Sequence, residues 1–213
     1  MTRAVIFDCD GVLVDSEPPT MELITADLRA HGLDLDHAAV ERLFLGGTIP
    51  GVFRAARQLG ADLPENWVQD IYGRIYARLR QHTPLIPGIA DLLDRLDAEG
   101  IPYAVGSNGT TEKMMITLGQ HPEIWRRLEG RVFSGQELNV PKPDPGLYRH
   151  VALFLGMDPA DCAVIEDSPT GAKAARAAGI PCFGYAPHGH SGLEAEGATV
   201  FRSMADLPAL LGL

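Results

Sequence analysis

Residues 4–17 read AVIFDCDGVLVDSE, in which a short apolar run is followed at once by Asp8 and Asp10. The apolar run predicts a strand buried on both faces, because the strands of a parallel sheet are apolar without alternation. The two carboxyl groups predict a polar site where this strand ends, since ligands of open α/β sheets bind beyond the carboxyl ends of the strands. This stretch therefore indicates both a parallel sheet and the edge at which its site lies.

Short apolar runs of this kind alternate with segments of helical period along most of the chain, which is typical of an α/β fold with crossover helices. We therefore predict an α/β fold with a Rossmann-like parallel sheet. The expected strands are Ala4–Phe7, Tyr103–Gly106, Arg131–Phe133, Ala163–Ile165, Cys182–Tyr185 and Thr199–Phe201. The expected helices between them are Gly88–Glu99, Thr110–Leu118, Pro145–Leu155, Ser168–Ala178 and Met204–Leu211.

One segment, residues 17–84, contains no convincing strand and has the apolar spacing of helices instead. Its expected helices are Met21–Ala30, Ala38–Phe44, Val52–Leu59 and Glu65–Gln81. We expect residues 1–16 and 85–213 to form the α/β core, and residues 17–84 to form a small helical domain on two linkers.

Composition narrows the classes of partner. The chain has 213 residues and a formal charge of −10, so it offers no basic surface for nucleic acid or an anionic membrane. The apolar run at its start is too short for a signal peptide or a spanning helix, which favours a cytoplasmic protein. The three cysteines, Cys9, Cys162 and Cys182, lie far apart and suggest neither a disulfide framework nor a zinc site. We expect a small-molecule partner and, by default, a monomer.

Chemically active side chains follow several of the expected strands. They are Asp8 and Asp10, Ser107 and Asn108, Lys142, and Glu166 and Asp167. Carboxylates that converge repel one another unless a cation neutralises them, and Mg²⁺ prefers an all-oxygen ligand set of this kind. Mg²⁺ and Lys142 would together offset the charge of a phosphate ester. The pattern predicts a Mg²⁺ site that binds a small phosphorylated molecule.

Each of these clusters also has a plainer interpretation. Paired aspartates can cap a helix, a Ser-Asn-Gly sequence is commonly a turn, and a lysine between prolines is commonly a loop residue. The plainer interpretation has to hold for every cluster separately. Their placement at one edge of a parallel sheet favours a single site.

At these residues the chain resembles the haloacid dehalogenase superfamily, in its phosphatase and β-phosphoglucomutase-like branch. Its four motifs are similar, in order, to DCDGVLVDSE at 8–17, VGSNG around Ser107, KPDP around Lys142 and VIEDSPTGAKAA from 164 to 175. The helical segment 17–84 corresponds to the cap that this branch inserts after its first motif. The resemblance covers essentially the whole chain.

The resemblance implies a covalent mechanism. Asp8 would be the nucleophile that forms an aspartyl-phosphate, and Asp10 would be the general acid and then the general base. Mg²⁺ would be held by the Asp8 carboxylate, the Asp10 main-chain carbonyl and Asp167. Glu166 would bind the metal either directly or through water.

The resemblance assigns the substrate-binding residues less specifically than it assigns the nucleophile and the metal ligands. Ser107 and Lys142 would hold the phosphoryl group, whose transfer depends on positioning and charge neutralisation. The other candidate substrate-binding residues are Glu17, Gly46, Gly47 and Asn108. For the two glycines a plain turn between helices is as good an interpretation, and for Glu17 the alternative is a helix-dipole role. Lys113 and Arg54 are either partners of a substrate carboxylate or, more simply, solvated surface.

The reaction type depends on two positions. The presence of Asp10 favours phosphoryl transfer over dehalogenation, because a halide leaves without a proton. The β-phosphoglucomutase-like enzymes have a histidine at the position of Thr20 and an arginine in the loop corresponding to residues 45–50, and this chain has neither. We therefore expect hydrolysis, with a phosphosugar mutase or a non-catalytic binding protein as alternatives. Similarity to bacterial sugar-phosphate phosphatases, including the 6-phosphogluconate phosphatase type, favours a sugar, polyol or sugar-acid phosphate.

Two further interpretations carry little weight. A cysteine phosphatase needs an arginine six residues after its cysteine, and no cysteine of this chain has one. His188 and His190 stand in a glycine-containing loop without a third ligand nearby, so we expect them to be solvated.

Overall fold

A computed structural model describes residues 2–36, 39–40, 48–189 and 192–213 of the protein. Its six strands are β1 (Ala4–Phe7), β2 (Tyr103–Ser107), β3 (Val132–Ser134), β4 (Cys162–Glu166), β5 (Cys182–Tyr185) and β6 (Thr199–Phe201). They form one parallel sheet in the order β3-β2-β1-β4-β5-β6. All six expected strands are present, each within one residue of its predicted ends, and the predicted α/β class is confirmed.

Nine α-helices lie within the described residues. They are α1 (Glu17–Ala30), α2 (Ile49–Gln58), α3 (Trp67–Leu79), α4 (Ile89–Ala98), α5 (Thr111–Leu118), α6 (Pro122–Leu128), α7 (Gly146–Phe154), α8 (Pro169–Ala178) and α9 (Leu207–Leu211). The short helix α6 has no counterpart among the expected helices. The expected helix Met204–Leu211 divides into a 3₁₀ turn and α9, because Pro208 has no N–H to donate and fits only the first turn of a helix. Most of the expected helix Ala38–Phe44 lies outside the described residues.

The sheet is covered on both faces. Along β1, Val5 and Phe7 pack into one hydrophobic cluster, whereas Ala4 and Ile6 pack into the other. Because successive side chains of a strand point to opposite faces, this alternation requires helices on each side of the sheet. The apolar run at the start of the sequence therefore has no polar position.

The helices of the segment 17–84 share a hydrophobic cluster of their own. Ile24 and Leu28 of α1 and Ile71 and Ile75 of α3 are buried in it. The buried carboxylate of Asp27 accepts a hydrogen bond from the indole N–H of Trp67 at 2.5 Å and pairs with the Arg74 guanidinium. A buried carboxylate needs such partners, since an unpaired one is strongly disfavoured in a core.

Two linkers join this segment to the rest of the chain, and they hydrogen-bond to each other. The N–H of Asp15 donates to the carbonyl of Pro84 at 2.9 Å, and the N–H of Ile86 donates to that of Leu13 at 3.0 Å. The chain therefore leaves and re-enters the α/β part at a single place.

The strand register brings the polar residues together. Phe7 of β1 lies beside Val105 of β2 and Ile165 of β4. Asp8 therefore lies between the ends of both neighbouring strands. Helices α5 and α8 begin at this edge, where the side chains of Thr110 and Ser168 accept hydrogen bonds from their first turns.

Candidate active site

A buried lysine lies between two carboxylates at the centre of this edge. The Lys142 Nζ lies 2.6 Å from Oδ1 of Asp8 and 2.6 Å from Oε1 of Glu166. Only 2% of the lysine side chain is exposed. Burial lowers the pKa of Lys142, but the two carboxylates more than reverse this and raise it well above its ordinary value. The lysine is therefore held as an ammonium directly beside Asp8.

The Glu166 carboxylate has an unusually complete set of hydrogen-bond partners. Besides Lys142, its Oε1 accepts from the Tyr148 hydroxyl at 2.8 Å. Its Oε2 accepts from the N–H of Asp167 at 2.9 Å and from both the N–H and the hydroxyl of Ser168, at 2.8 and 2.9 Å. Although burial raises the pKa of Glu166, Lys142 and these hydrogen bonds lower it overall. These donors favour the ionised form of Glu166, which is placed to hold Lys142 in position.

Two glycines make room for the acidic side chains. A methyl group on Gly171 would lie 1.7 Å from Oε1 of Glu166, and one on Gly11 would lie 1.9 Å from Oδ2 of Asp167. Gly11 also has a φ of +74°, a conformation that glycine adopts without steric cost. Both carboxylates thus approach the main chain more closely than any other residue type would permit.

The donor set fits a divalent cation. Asp8, Glu166 and Asp167 each present a carboxylate oxygen, and these oxygens lie within 4.8 Å of one another. Burial, followed by the charges of Glu17 and Glu166, raises the pKa of Asp167 well above its ordinary value. Burial also raises that of Asp8, despite Lys142. Carboxylates that repel one another in this way can serve as the oxygen ligands of a divalent cation.

The Asp10 side chain takes part in a second ion pair. Its Oδ1 lies 2.8 Å from the Lys113 Nζ and also accepts a hydrogen bond from the Ser16 hydroxyl. Burial raises the pKa of Asp10, but Lys113 and Ser16 lower it overall. Its predicted role as a metal ligand concerns the main-chain carbonyl and stays a prediction.

The expectation that Lys113 is solvated surface is wrong. Its side chain is only 14% exposed, and its ammonium reaches from the first turn of α5 to Asp10. Arg54, the other cation considered for a substrate carboxylate, is exposed on α2. The structure thus brings one of the two into the site.

The residues after β2 position the lysine loop. The Asn108 Oδ1 accepts from the N–H of Lys142 at 2.8 Å, and its Nδ2 donates to the Lys142 carbonyl at 3.1 Å. The Ser107 hydroxyl is buried and accepts from the N–H of Gly109 at 3.0 Å. Asn108 therefore fixes the main chain of Lys142, and its predicted contact with substrate stays a prediction.

Of the other residues predicted to contact substrate, Glu17 lies at the site, whereas the two glycines cannot be placed. Glu17, the first residue of α1, faces the acidic side chains, and burial followed by the Asp10 charge raises its pKa to about 7. It lies where it can serve either as a substrate contact or in the first turn of the helix. Gly46 and Gly47 lie outside the described residues. His188 is exposed, and His190 also lies outside the described residues.

Two tyrosines of α3 contact the loops that carry the site. The Tyr72 hydroxyl donates to Oε1 of Gln136 at 3.1 Å, and Nε2 of Gln136 donates to the carbonyl of Asn108 at 2.5 Å. The Tyr76 hydroxyl pairs with that of Thr110 at 2.5 Å. The helical segment is therefore joined to the site by direct hydrogen bonds.

Sequence reasoning missed Ser16 and Tyr148, and it missed the pairing of Lys113 with Asp10. Ser16 and Tyr148 carry no distinctive signal, because one is a small residue in a linker and the other is part of the apolar face of α7. Lys113 does carry one. A cation in the first turn of a helix is disfavoured by the helix dipole, so a lysine three residues after the N-cap Thr110 indicates a nearby anion.

Several known proteins are similar to this chain in sequence and in fold. The chain is 29% identical over 212 residues to a 6-phosphogluconate phosphatase from Escherichia coli, which covers 98% of this chain and 94% of that protein. It is 31% identical to a phosphoglycolate phosphatase from Rhodospirillum rubrum, in an alignment that covers 100% of this chain and 92% of that protein. A hydrolase from Deinococcus radiodurans, solved with bound phosphate and sodium, superposes with a TM-score of 0.77 at 32% identity, covering 99% and 95% of the two chains.

The fold, the site and these relatives define an enzyme of the phosphatase class, as predicted. The family model for haloacid dehalogenase-like hydrolases matches residues 2–179, and the chain belongs to this family. The family resemblance stated from the sequence motifs is therefore confirmed. Among the residues that the structure describes, no helix has both the length and the apolar composition needed to cross a bilayer.

Proposed function

We propose that this protein is a Mg²⁺-dependent phosphomonoesterase that hydrolyses a small phosphorylated metabolite through an aspartyl-phosphate on Asp8. The observation that carries the proposal is the joint placement of two groups at Asp8. The first is the Lys142 ammonium, which contacts one oxygen of Asp8. The second is the pair of carboxylates of Glu166 and Asp167, each with an oxygen within 4.8 Å of a carboxylate oxygen of Asp8. Such a site can hold a phosphoryl group next to a nucleophile in spite of the surrounding negative charge.

In the first step, an Asp8 oxygen attacks phosphorus, and the bond from phosphorus to the ester oxygen breaks. For this step the Asp10 carboxyl group has to be protonated, against the effect of the Lys113 charge on its pKa, and its proton then passes to the departing oxygen, so that an alcohol leaves. In the second step, water attacks the aspartyl-phosphate, Asp10 takes up a proton, and inorganic phosphate is released with Asp8 restored. The Ser107 hydroxyl and the Lys142 ammonium hold the phosphoryl oxygens in both steps.

Asp8, Asp167 and the main-chain carbonyl of Asp10 would hold Mg²⁺. The five hydrogen bonds on Glu166 support an indirect role for it, through water, rather than direct ligation. When bound, the cation supplies positive charge that offsets both the carboxylates and the phosphoryl oxygens.

We assign the helical segment 17–84 the role of a cap over this edge of the sheet. Its helix α3 contacts the site loops through Tyr72 and Tyr76, and its first residue, Glu17, faces the acidic cluster. A cap excludes bulk water during the reaction and contacts the part of the substrate that is not transferred. The phosphatases among the relatives and the position of Glu17 support a sugar, polyol or sugar-acid phosphate.

The Thr20 hydroxyl donates to the Ser16 carbonyl at 2.7 Å, within the first turn of α1. It takes the position of the histidine of the mutases and supplies no cation for a second phosphate. This supports hydrolysis over the mutase alternative. Incubation with a hexose 1-phosphate separates the two, because a phosphatase gives inorganic phosphate and a mutase gives the 6-phosphate isomer as the main product.

The test is phosphate release from p-nitrophenyl phosphate, with Mg²⁺ and with a chelator. We expect release that requires Mg²⁺ and that falls by at least about 10³-fold in Asp8→Asn, because the nucleophile is lost. The matched control, Asp91→Asn on the exposed surface of α4, should retain wild-type activity. Undiminished release from Asp8→Asn, or no Mg²⁺-dependent release from the wild type, would overturn the proposal.

A further inference from the structure

The chain contains three lysines, and two of them lie at this one edge of the sheet, Lys142 buried and Lys113 with a side chain that is 14% exposed. Lys142 contacts the nucleophile and Glu166. Lys113 contacts a different carboxylate, that of Asp10, at 2.8 Å. Removing an ammonium from water is costly unless it is paired, so Asp10 is the partner that compensates for burying Lys113.

The helix that carries Lys113 packs against the sheet, because its Met114 and Leu118 are buried in the hydrophobic cluster on one face of β1. Within the helix, the Lys113 N–H donates to the Thr110 hydroxyl at 3.1 Å, and the Lys113 carbonyl accepts from the Thr117 hydroxyl at 3.1 Å. Both partners belong to α5 or its N-cap. The ammonium therefore projects from a helix whose position is set by the sheet.

The second donor to Asp10 has a different origin. Ser16 lies in the linker that enters the helical segment, one residue before α1. Lys113, by contrast, belongs to the first turn of α5. The two donors therefore hold Asp10 from different parts of the molecule.

We propose that Lys113, from a helix that packs against the sheet, is a positioning residue that holds the Asp10 carboxyl group at the leaving oxygen of the substrate. This inference rests on the proposed function and assigns a role in it to a residue outside the four motifs. Lys113 acts through Asp10 and touches no reacting atom itself.

If Lys113 positions Asp10, the loss of rate in a Lys113 variant should depend on the leaving group of the ester. A proton from Asp10 matters most when the departing oxygen is strongly basic, and matters little for p-nitrophenolate, which leaves readily as an anion. Misplacing Asp10 should therefore slow phenyl phosphate much more than p-nitrophenyl phosphate, two esters of similar shape. A loss of folding would slow both equally.

The experiment measures kcat/KM, which reports the step that releases the alcohol, for both esters with Lys113→Met. We expect a loss of roughly 10²-fold for phenyl phosphate, within the range of general acid catalysis, and of less than about 5-fold for p-nitrophenyl phosphate. Lys113→Arg, which keeps the charge, should recover most of the activity. Lys173→Met, on the exposed surface of α8, is the matched control and should leave both rates unchanged.

A double-mutant cycle tests whether Lys113 acts through Asp10. In an Asp10→Asn background, Lys113→Met should cause almost no further loss, because coupled residues are not additive. Additive losses would overturn the inference. So would equal losses for the two esters, or no loss at all.

A third ester, 4-carboxyphenyl phosphate, tests the competing role of Lys113 as a binder of substrate carboxylates. A loss confined to this ester would overturn the positioning role. If the wild type hydrolyses none of the esters, the proposed function fails and this inference fails with it. If the wild type is active and the variants do not follow the leaving group, only this inference fails.

Discussion

The Tyr148 hydroxyl donates to Oε1 of Glu166 at 2.8 Å, the same oxygen that accepts from the Lys142 ammonium. The Lys142 Nζ also lies 4.9 Å from the centre of the Tyr148 ring. A cation over an aromatic face is attracted to it, so the tyrosine contacts both members of the ion pair. Tyr148, which is fully buried, thus holds the lysine and the glutamate beside the nucleophile.

Tyr148→Phe should weaken this arrangement while keeping the ring. A hydrogen bond to a charged, buried group is worth about 1.5–3 kcal/mol, so we expect the free energy of unfolding to fall by about 2 kcal/mol. We expect kcat to fall about 10-fold, as is usual when a residue that hydrogen-bonds to a site residue, without being part of the site itself, is removed. Denaturant unfolding and phosphate release measure the two effects.

The control for this variant is Tyr103→Phe. Its hydroxyl donates to Oδ1 of Asp97 at 2.9 Å, away from the site, and Asp97 is half exposed. We expect a smaller loss of stability, about 1 kcal/mol or less, and wild-type activity. Equal activity in Tyr148→Phe and Tyr103→Phe would show that Tyr148 does not support the site.

Gly171→Ala should be strongly destabilising, although alanine is the better helix former. The new methyl group would lie 1.7 Å from Oε1 of Glu166 and would displace a carboxylate that accepts five hydrogen bonds. We expect a loss of at least about 2 kcal/mol in the free energy of unfolding. Thermal or denaturant unfolding measures it.

Gly73→Ala is the matched substitution in a helix without such crowding. On the exposed surface of α3, no heavy atom lies within 4 Å of the place that its methyl group would take. Replacing glycine by alanine there should stabilise the protein by about 0.5–1 kcal/mol. Opposite signs for the two variants are the expected result, and a neutral Gly171→Ala would contradict the packing described for Glu166.

Much of the fold could be predicted from the sequence, for a physical reason. Strands buried on both faces have no polar positions, so runs such as Ala4–Phe7 and Cys182–Tyr185 stand out from the helices between them. The edge of the sheet that holds the site could be predicted too, because parallel strands end on the same side. Helix α6 was missed because its seven residues offer only Ile124 and Leu128 as a buried pair.

The contacts within the site were less predictable. Lys113 lies more than a hundred positions after Asp10, and nothing local to either residue shows that they pair. The pairing of Asn108 with the Lys142 main chain likewise depends on how two loops meet. The sequence indicates which residues share an edge of the sheet, whereas the detailed packing decides which of them are partners.

Asp167→Asn tests the carboxylate cluster as a metal site. Without metal, the variant should melt at a higher temperature than the wild type, because it removes one member of a cluster of mutually repelling carboxyl groups. Mg²⁺ should raise the melting temperature of the wild type, since binding to the folded state adds about 2.7 kcal/mol at a hundredfold excess over Kd. The variant should show little of this rise.

Thermal unfolding with Mg²⁺ and with a chelator measures both effects. Asp91→Asn, on exposed α4, is the control and should respond to Mg²⁺ as the wild type does. A full Mg²⁺ response in Asp167→Asn would show that the cation binds elsewhere. A lower melting temperature of this variant without metal would contradict the repulsion argument.

The central claim is that Asp8 carries the phosphoryl group during turnover. The most direct measurement is acid quenching of the enzyme during hydrolysis of p-nitrophenyl phosphate with Mg²⁺, followed by peptide mass spectrometry. We predict an added mass of one HPO₃ group on the peptide that contains Asp8, present in the wild type and absent in Asp8→Asn. Turnover with no phosphorylated peptide, or a phosphoryl group on another residue in the wild type, would contradict the account.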